Sequence, residues 1–190
     1  MFESVEITVD YLNINLPPEN SQELSYPNLP ENALYHGAHI ITGNAGGPFH
    51  HGIVENVAPE LTIIDFWGET KYKAKIQRTT LPAFIAGGPD KINQVSRPLY
   101  LVVYEDDNEA RRQDTVLIAQ RLLDDPSAIP YNIVNANCEC FASYCRTGNW
   151  ESQQTRKMTF GNSSLANTVD LGAETTANLT VNMQNLCTLL

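Results

Sequence analysis

Apolar and polar positions along the chain predict a set of strands followed by helices. Short runs rich in β-branched residues lie at residues 37–41, 49–54, 61–67 and 99–104. Between Asn108 and Leu123 the period changes, because apolar residues recur three and four positions apart and charged residues occupy the opposite face. This order indicates an α+β fold in which helices pack against an antiparallel sheet.

The weaker patterns predict the parts around that core. Residues 2–14 alternate weakly and predict an edge strand, whereas the Pro- and Asn-rich stretch from Leu16 to Pro30 predicts an extended loop. Lysines alternate with apolar residues over 71–76, which predicts an edge strand whose outer face is a solvated basic surface. Residues 80–88 predict a short helical turn closed by glycines. We expect the core to begin near Leu34.

The last helical segment carries a candidate nucleophile. Its apolar residues share one helical face: Cys138, Phe141, Ala142 and Cys145. Asn137 is a good first cap and Gly148 a good stop, so Cys138 falls in the first turn of a buried helix. The free N–H groups and the dipole at that end favour a thiolate. A cysteine in this position is nevertheless more often a small apolar core residue.

Two β-rich runs around Asn56–Pro59 predict a hairpin that places a histidine beside an acid. If the hairpin is centred between Val57 and Ala58, His50 faces Asp65, and a slip of one residue would substitute His51. A carboxylate next to an imidazole fixes its tautomer and raises its basicity. Each residue taken singly is more often structural or solvated, and the combination with Cys138 is what predicts a catalytic site.

Composition limits the classes of function. The net charge of −10 argues against nucleic acid as a partner and against an anionic membrane held by charge. Residues 1–33 contain acids and no Lys or Arg, so the imbalance is concentrated there. No run approaches the roughly 18 apolar residues of a membrane span, and the start lacks a signal-peptide pattern. We expect a cytoplasmic or peripheral membrane protein.

The four cysteines favour a reducing compartment over a disulfide framework, because three of them lie too close together to bridge one another easily. Cys140 and Cys145 fit core positions better than a zinc site, which would need a second ligand cluster. Cys187 begins a C-terminal prenylation box whose terminal Leu suggests geranylgeranyl, although a chance ending gives the same letters. Without a basic stretch upstream, one lipid would hold a membrane only reversibly.

The ordered motifs resemble those of lecithin retinol acyltransferase (LRAT) domains, most closely the plant and microbial branch. The segments that carry the resemblance span about residues 34–150 and are Gly37–Ile40, His50–Val54, Ile63–Phe66, Thr80–Gly88 and Asn137–Gly148. The resemblance implies a circularly permuted papain-like fold of the NlpC type. It also implies three parts: an acidic N-terminal extension (1–33), a catalytic domain (34–150) and a C-terminal extension (151–190).

Carried over to this chain, the resemblance implies that Cys138 is the nucleophile and His50 the general base. Asp65 falls where many animal members have a second histidine, and Cys140 where the family usually has His or Asp. The implied activity is a thiol phospholipase or acyltransferase that forms a Cys138 thioester with a phospholipid or other acyl lipid, the helix N-terminal amides stabilising the oxyanion. We expect no cofactor, no metal and no nucleic acid.

Two other classes stay open. A cysteine amidase or peptidase would use the same three residues on an amide. A non-catalytic interaction domain would keep the fold without the activity, and the departures at Asp65 and Cys140 permit this.

Overall fold

The computed structural model of the protein describes residues 17–44, 49–68, 73–93, 96–125 and 137–152. The strands are β1 (Ser21–Leu24), β2 (His39–Thr42), β3 (His50–Asn56), β4 (Thr62–Trp67), β5 (Lys75–Thr80) and β6 (Leu99–Val102). The helices are α1 (Leu81–Ala86), α2 (Glu109–Asp124) and α3 (Cys138–Thr147), with a short 3₁₀ turn at Pro89–Lys91. The predicted α+β fold is confirmed.

The strands form one antiparallel sheet in the order β1-β6-β2-β3-β4-β5. Successive strand residues point to opposite faces, so the central strands β3 and β4 contribute to two apolar layers. On one face, Ile53 and Phe66 pack against Phe141 of α3 and its neighbours on α2. On the other, Val54 and Ile63 pack against α1. His50 lies four residues before Val54 on β3, and Asp65 lies two residues after Ile63 on β4. Because side chains alternate between faces, His50 and Asp65 both lie on the α1 face.

The three helices begin and end where local signals predict. The Thr80 side chain accepts a hydrogen bond from the Ala83 N–H at the start of α1, and Gly87 ends that helix with a φ of 76°. At the start of α2 the Asn108 side chain accepts from the Arg111 N–H at 3.0 Å. These side chains satisfy amides that a helix leaves without an internal partner.

Two predictions about the sheet are wrong. The loop predicted over Leu16 to Pro30 contains β1, which pairs with β6 and buries Leu24 in the core. The basic edge strand begins later than predicted, because β5 starts at Lys75 and Lys73 lies in a turn. β5 does lie at the edge of the sheet, as the alternating lysines indicated.

Two predictions fall outside the described residues. These are the strand at 2–14 and the C-terminal box that begins at Cys187. The division into residues 1–33, 34–150 and 151–190 stays a prediction. Among the helices of the described residues, none is long and apolar enough to cross a membrane.

Candidate active site

Cys138 is the first residue of α3, and Asn137 fixes the helix at that point. The Asn137 side chain accepts hydrogen bonds from the N–H groups of Glu139 and Cys140, both at 3.0 Å. At the other end Gly148 adopts a φ of 78°, and its N–H donates to the Tyr144 carbonyl. The buried side chains of Phe141 and its apolar neighbours hold the helix on the sheet, so the predicted helix is confirmed at both ends.

The same cap limits what the helix terminus can offer to a substrate. Two of the first-turn amides, those of Glu139 and Cys140, already bond to Asn137. The N–H of Cys138 is the first-turn amide that Asn137 does not occupy. An oxyanion formed at the sulfur would therefore meet one helix amide rather than the several expected from the sequence.

His50 and Asp65 form the predicted pair. His50 Nε2 lies 2.9 Å from Asp65 Oδ2, and the Asp65 residue is only 2% exposed. The predicted register is nevertheless wrong by two residues, because Gly52 rather than His50 is the direct partner of Asp65. The contact survives because side chains alternate with a period of two, so a two-residue slip leaves both groups on the same face as diagonal neighbours.

Cys138 completes the group from the other side of His50. Its side chain is within hydrogen-bonding reach of the imidazole, and its sulfur lies 3.9 Å from the carbonyl oxygen of Phe49, the residue before His50. Because Asp65 occupies Nε2, Nδ1 is the ring nitrogen left for the thiol. The structure thus brings the three predicted residues together, with the histidine in the middle.

The environment of His50 favours its protonated form. Burial alone lowers the pKa of His50, but hydrogen bonds to Asp65 and Cys138 and the charges of both groups outweigh it and raise the pKa to about 9. The Phe84 ring lies 4.9 Å from the imidazole ring, centroid to centroid, and covers part of it. An imidazolium is therefore the favoured form of His50 near neutral pH.

Gly52 allows Phe84 to come this close. A Cβ atom at position 52 would lie 2.8 Å from Ile63 Cγ2 and 2.8 Å from Phe84 Cε2, closer than such contacts allow. The glycine after the two histidines thus has a packing reason. Sequence reasoning used it only as part of a motif.

A second buried polar group lies beneath α3 and was not predicted. His39 Nε2 is 3.0 Å from His51 Nδ1, and His39 Nδ1 is 2.7 Å from the Tyr104 hydroxyl. Arg146 lies over the Tyr104 ring at 4.5 Å. Burial and the neighbouring His50 lower the pKa of His51 to about 3, and burial with His51 and Arg146 lowers that of His39 well below its ordinary value. We name this group the His39–His51–Tyr104 chain.

That placement excludes the alternative in which His51 replaces His50. His51 projects to the α3 face of the sheet, whereas Asp65 lies on the α1 face. Its low pKa also keeps it neutral, so it cannot hold the proton of a thiol near neutral pH. Within the described ranges, no group of three or more His, Cys, Asp or Glu side chains is arranged to hold a metal ion.

Cys140 and Cys145 are core residues, as expected. Each is 2% exposed. Burial raises the pKa of the Cys140 thiol to about 12 and that of Cys145 well above its ordinary value. Neither thiol is a competing nucleophile near neutral pH.

The fold and this site define an α+β domain with a cysteine at a helix start beside an imidazole and a carboxylate. The sequence model of the family described as lecithin retinol acyltransferase matches residues 38–151, more than half of the chain. The chain therefore belongs to that family, and membership suggests acyltransferase or hydrolase chemistry. Searches of curated proteins and of solved structures gave no match. The plant and microbial branch and the circular permutation stay predictions.

Proposed function

We propose that the protein is a thiol-dependent lipid acyl hydrolase or acyltransferase, with Cys138 as nucleophile, His50 as base and Asp65 as the residue that orients His50. The observation that supports this most is the position of His50 between the other two side chains. Family membership supports acyl chemistry, and an acyl lipid is the substrate class carried over from the sequence. Contact with a membrane surface would be peripheral.

The first step forms a thioester. His50 holds the proton of the Cys138 thiol as an imidazolium, which its pKa of about 9 favours at neutral pH. The thiolate attacks the ester carbonyl, and the Cys138 N–H donates to the oxyanion. When the C–O bond breaks, the imidazolium gives its proton to the departing alcohol oxygen. Asp65 stabilises the charge on His50 throughout.

The second step releases the acyl group. Neutral His50 takes a proton from water, or from an amine or hydroxyl acceptor, as that oxygen or nitrogen attacks the thioester carbonyl. The C–S bond then breaks, and the free acid, amide or ester leaves. Cys138 and His50 return to the ion pair, so protons balance over the cycle.

The decisive experiment is intact-mass spectrometry of wild type, Cys138→Ser and Cys140→Ser after mixing with phospholipid vesicles. We expect an acyl-sized mass gain, removable by hydroxylamine, in wild type and Cys140→Ser but not in Cys138→Ser. Cys140→Ser is the matched control, because the same substitution two residues away changes a buried thiol in the same helix.

Two results would contradict the proposal. An adduct that persists in Cys138→Ser would assign the nucleophile elsewhere. No adduct and no fatty acid release from any form would leave lipid acyl transfer without support. Amide turnover without lipid turnover would then indicate the amidase or peptidase class, and a biological effect unchanged in Cys138→Ala would indicate an interaction domain.

A further inference from the structure

A small cavity is lined by the His50–Asp65 pair, whereas Cys138 is not part of its wall. Its volume is about 10 Å³, which is about the space that one water molecule needs. His50, Asp65, Gln77 and Thr79 supply polar groups to its wall, and Trp67 and Phe84 supply apolar surface. The cavity is thus polar on one side and sized for a single small ligand.

One carboxylate oxygen of Asp65, a residue of the cavity wall, has no hydrogen-bond partner among the described residues. Asp65 Oδ2 accepts from His50 at 2.9 Å, but Asp65 Oδ1 is buried and has no hydrogen-bond partner among the described residues. A buried carboxylate oxygen without a donor is strongly unfavourable. The carboxylate could also turn, since nothing in the described structure holds its second oxygen. Something that donates a hydrogen bond is therefore required at this point.

The edge strand β5 places two polar side chains where such a donor can be held. Gln77 is the direct cross-strand partner of Asp65, and Thr79 lies two residues further along, so both share its face. Both line the cavity. An amide and a hydroxyl can each donate to or accept from a water molecule, and an ordered buried water makes two to four such bonds.

We propose that this cavity is a binding site for one ordered water molecule, which donates to Asp65 Oδ1 and is held by Gln77 and Thr79. The water fixes the rotation of the Asp65 carboxylate, so that Oδ2 stays on His50. Gln77 and Thr79 are positioning residues, because they act on His50 only through the water and Asp65. This role rests on the proposed function, whereas the water site itself does not.

Direct evidence would come from a crystal structure of the wild-type protein at atomic resolution. We expect one water within hydrogen-bonding distance of Asp65 Oδ1 and of Gln77 or Thr79. The double variant Gln77→Met/Thr79→Val, which keeps the side chains close in size, should lose it. An empty cavity in the wild type, or a Gln77 amide that donates directly to Asp65 Oδ1, would overturn the proposal.

The effect on His50 can be read by proton NMR of the imidazole N–H that bonds to Asp65. In the double variant we expect this downfield resonance to move upfield or broaden, because the carboxylate is free to turn. Thr79→Ser keeps the hydroxyl and should preserve the resonance. Lys75→Gln is the matched control, since Lys75 is exposed on the same strand and does not line the cavity.

The rate of acyl transfer tests whether the water matters for catalysis. We expect the double variant to have a kcat/KM about tenfold below that of the wild type, the lower end of what losing an outer hydrogen-bond partner costs in metal sites. Thr79→Ser keeps the hydroxyl and should not show the part of this loss that comes from Thr79. An unchanged resonance and rate in a double variant that has lost the water would overturn the positioning role. If the water and the resonance behave as expected but no thioester forms in any form, the water site stands and the proposed function fails.

Discussion

His50 contacts both Cys138 and Asp65, so its pKa reports on its interactions with both residues. Cys138→Ser should lower the pKa of His50 from about 9, because burial remains while the hydrogen bond to the thiol and the thiolate charge are lost. Asp65→Asn should also lower it, by removing the carboxylate. NMR titration of the His50 ring protons measures both shifts.

Cys140→Ser is the control for this titration. Cys140 is not among the groups with the largest effects on the His50 pKa, although it lies in the same turn of α3. A pKa that stays at about 9 in Cys138→Ser would show that the thiol and imidazole do not interact in solution.

Adding a side chain at Gly52 should measurably destabilise the protein. Gly52→Ala should lower the free energy of unfolding by about 1–3 kcal/mol, because the new Cβ would meet Ile63 and Phe84 at 2.8 Å. Urea unfolding measures the loss. Phe84 packs on the His50 ring at 4.9 Å, so its displacement should also loosen the position of His50 beside Cys138, and we expect slower alkylation of Cys138 by iodoacetamide.

Gly148→Ala separates packing at the site from a general loss of stability. A Cβ at Gly148 has no atom within 4 Å, so its cost comes from the φ of 78°, roughly 1–2 kcal/mol. It should lower stability to a similar degree without slowing Cys138 alkylation. Equal slowing in both variants would mean that the effect at Gly52 is not local.

At the scale of elements, the start of α3 makes a prediction about its cap. Asn137→Ala should cost about 0.5–2 kcal/mol of stability and slow Cys138 alkylation, because the first turn loses the side chain that bonds to two of its amides. Asn137→Asp keeps an acceptor at the cap but places a negative charge beside the sulfur.

The two variants therefore give different patterns. Asn137→Asp should retain stability in urea yet slow alkylation at neutral pH, since a like charge disfavours the thiolate. If Asn137→Asp alkylates as fast as wild type, the cap acts on Cys138 through the position of the helix alone.

Elements with strong local signals were predictable, and those held by distant partners were not. Asn108, Asn137 and Gly148 mark helix ends through bonds to their own neighbours, so the sequence shows them. β1 has one buried residue, Leu24, and owes its position to pairing with β6 far along the chain. A four-residue pattern carries no information about that pairing.

The candidate site was predictable for a different reason. The hairpin register differs from the predicted one by two residues and contains a β-bulge between Val54 and Asn56, and nothing in the run of apolar residues reveals either. The His50–Asp65 pair was found despite this, because a slip of two keeps the same face. Tyr104 was missed as a partner of His39, since only the neighbouring positions of β2 and β6 bring the two together.

For the whole molecule, the site joins two layers that fold as separate apolar clusters. His50 and Asp65 stand on the α1 face of the sheet, while Cys138 packs with the α3 cluster on the other. The two meet at the first residues of β3, where Phe49 contacts the sulfur. The geometry of the site therefore depends on how firmly α3 is held to the sheet. The contacts between α3 and the sheet include the His39–His51–Tyr104 chain.

From the two histidines of the His39–His51–Tyr104 chain we predict how the stability of the whole protein depends on pH. In the folded state, His39 and His51 stay neutral well below their ordinary pKa of 6.5, with His50 and Arg146 as the nearby charges. In the unfolded state they protonate near 6.5, so the unfolded chain binds more protons below that pH. The neutral histidines therefore make their full contribution to the free energy of unfolding above pH 6.5. That contribution falls as pH falls, by up to about 1.4 kcal/mol per pH unit for each histidine.

The measurement is urea unfolding at intervals from pH 7 to pH 5.5, above the range in which Glu55, whose pKa the Arg78 hydrogen bond lowers, has most of its effect. His50, whose pKa is raised to about 9, adds a slope of opposite sign above about pH 6. The wild type and a variant with His39 and His51 replaced share this slope, so the difference between them reports the two histidines. Replacing His39 and His51 by Gln should remove the loss of stability that these two histidines cause as pH falls. An equal slope in the wild type and the double variant would show that His39 and His51 take up protons in the folded state as readily as in the unfolded chain.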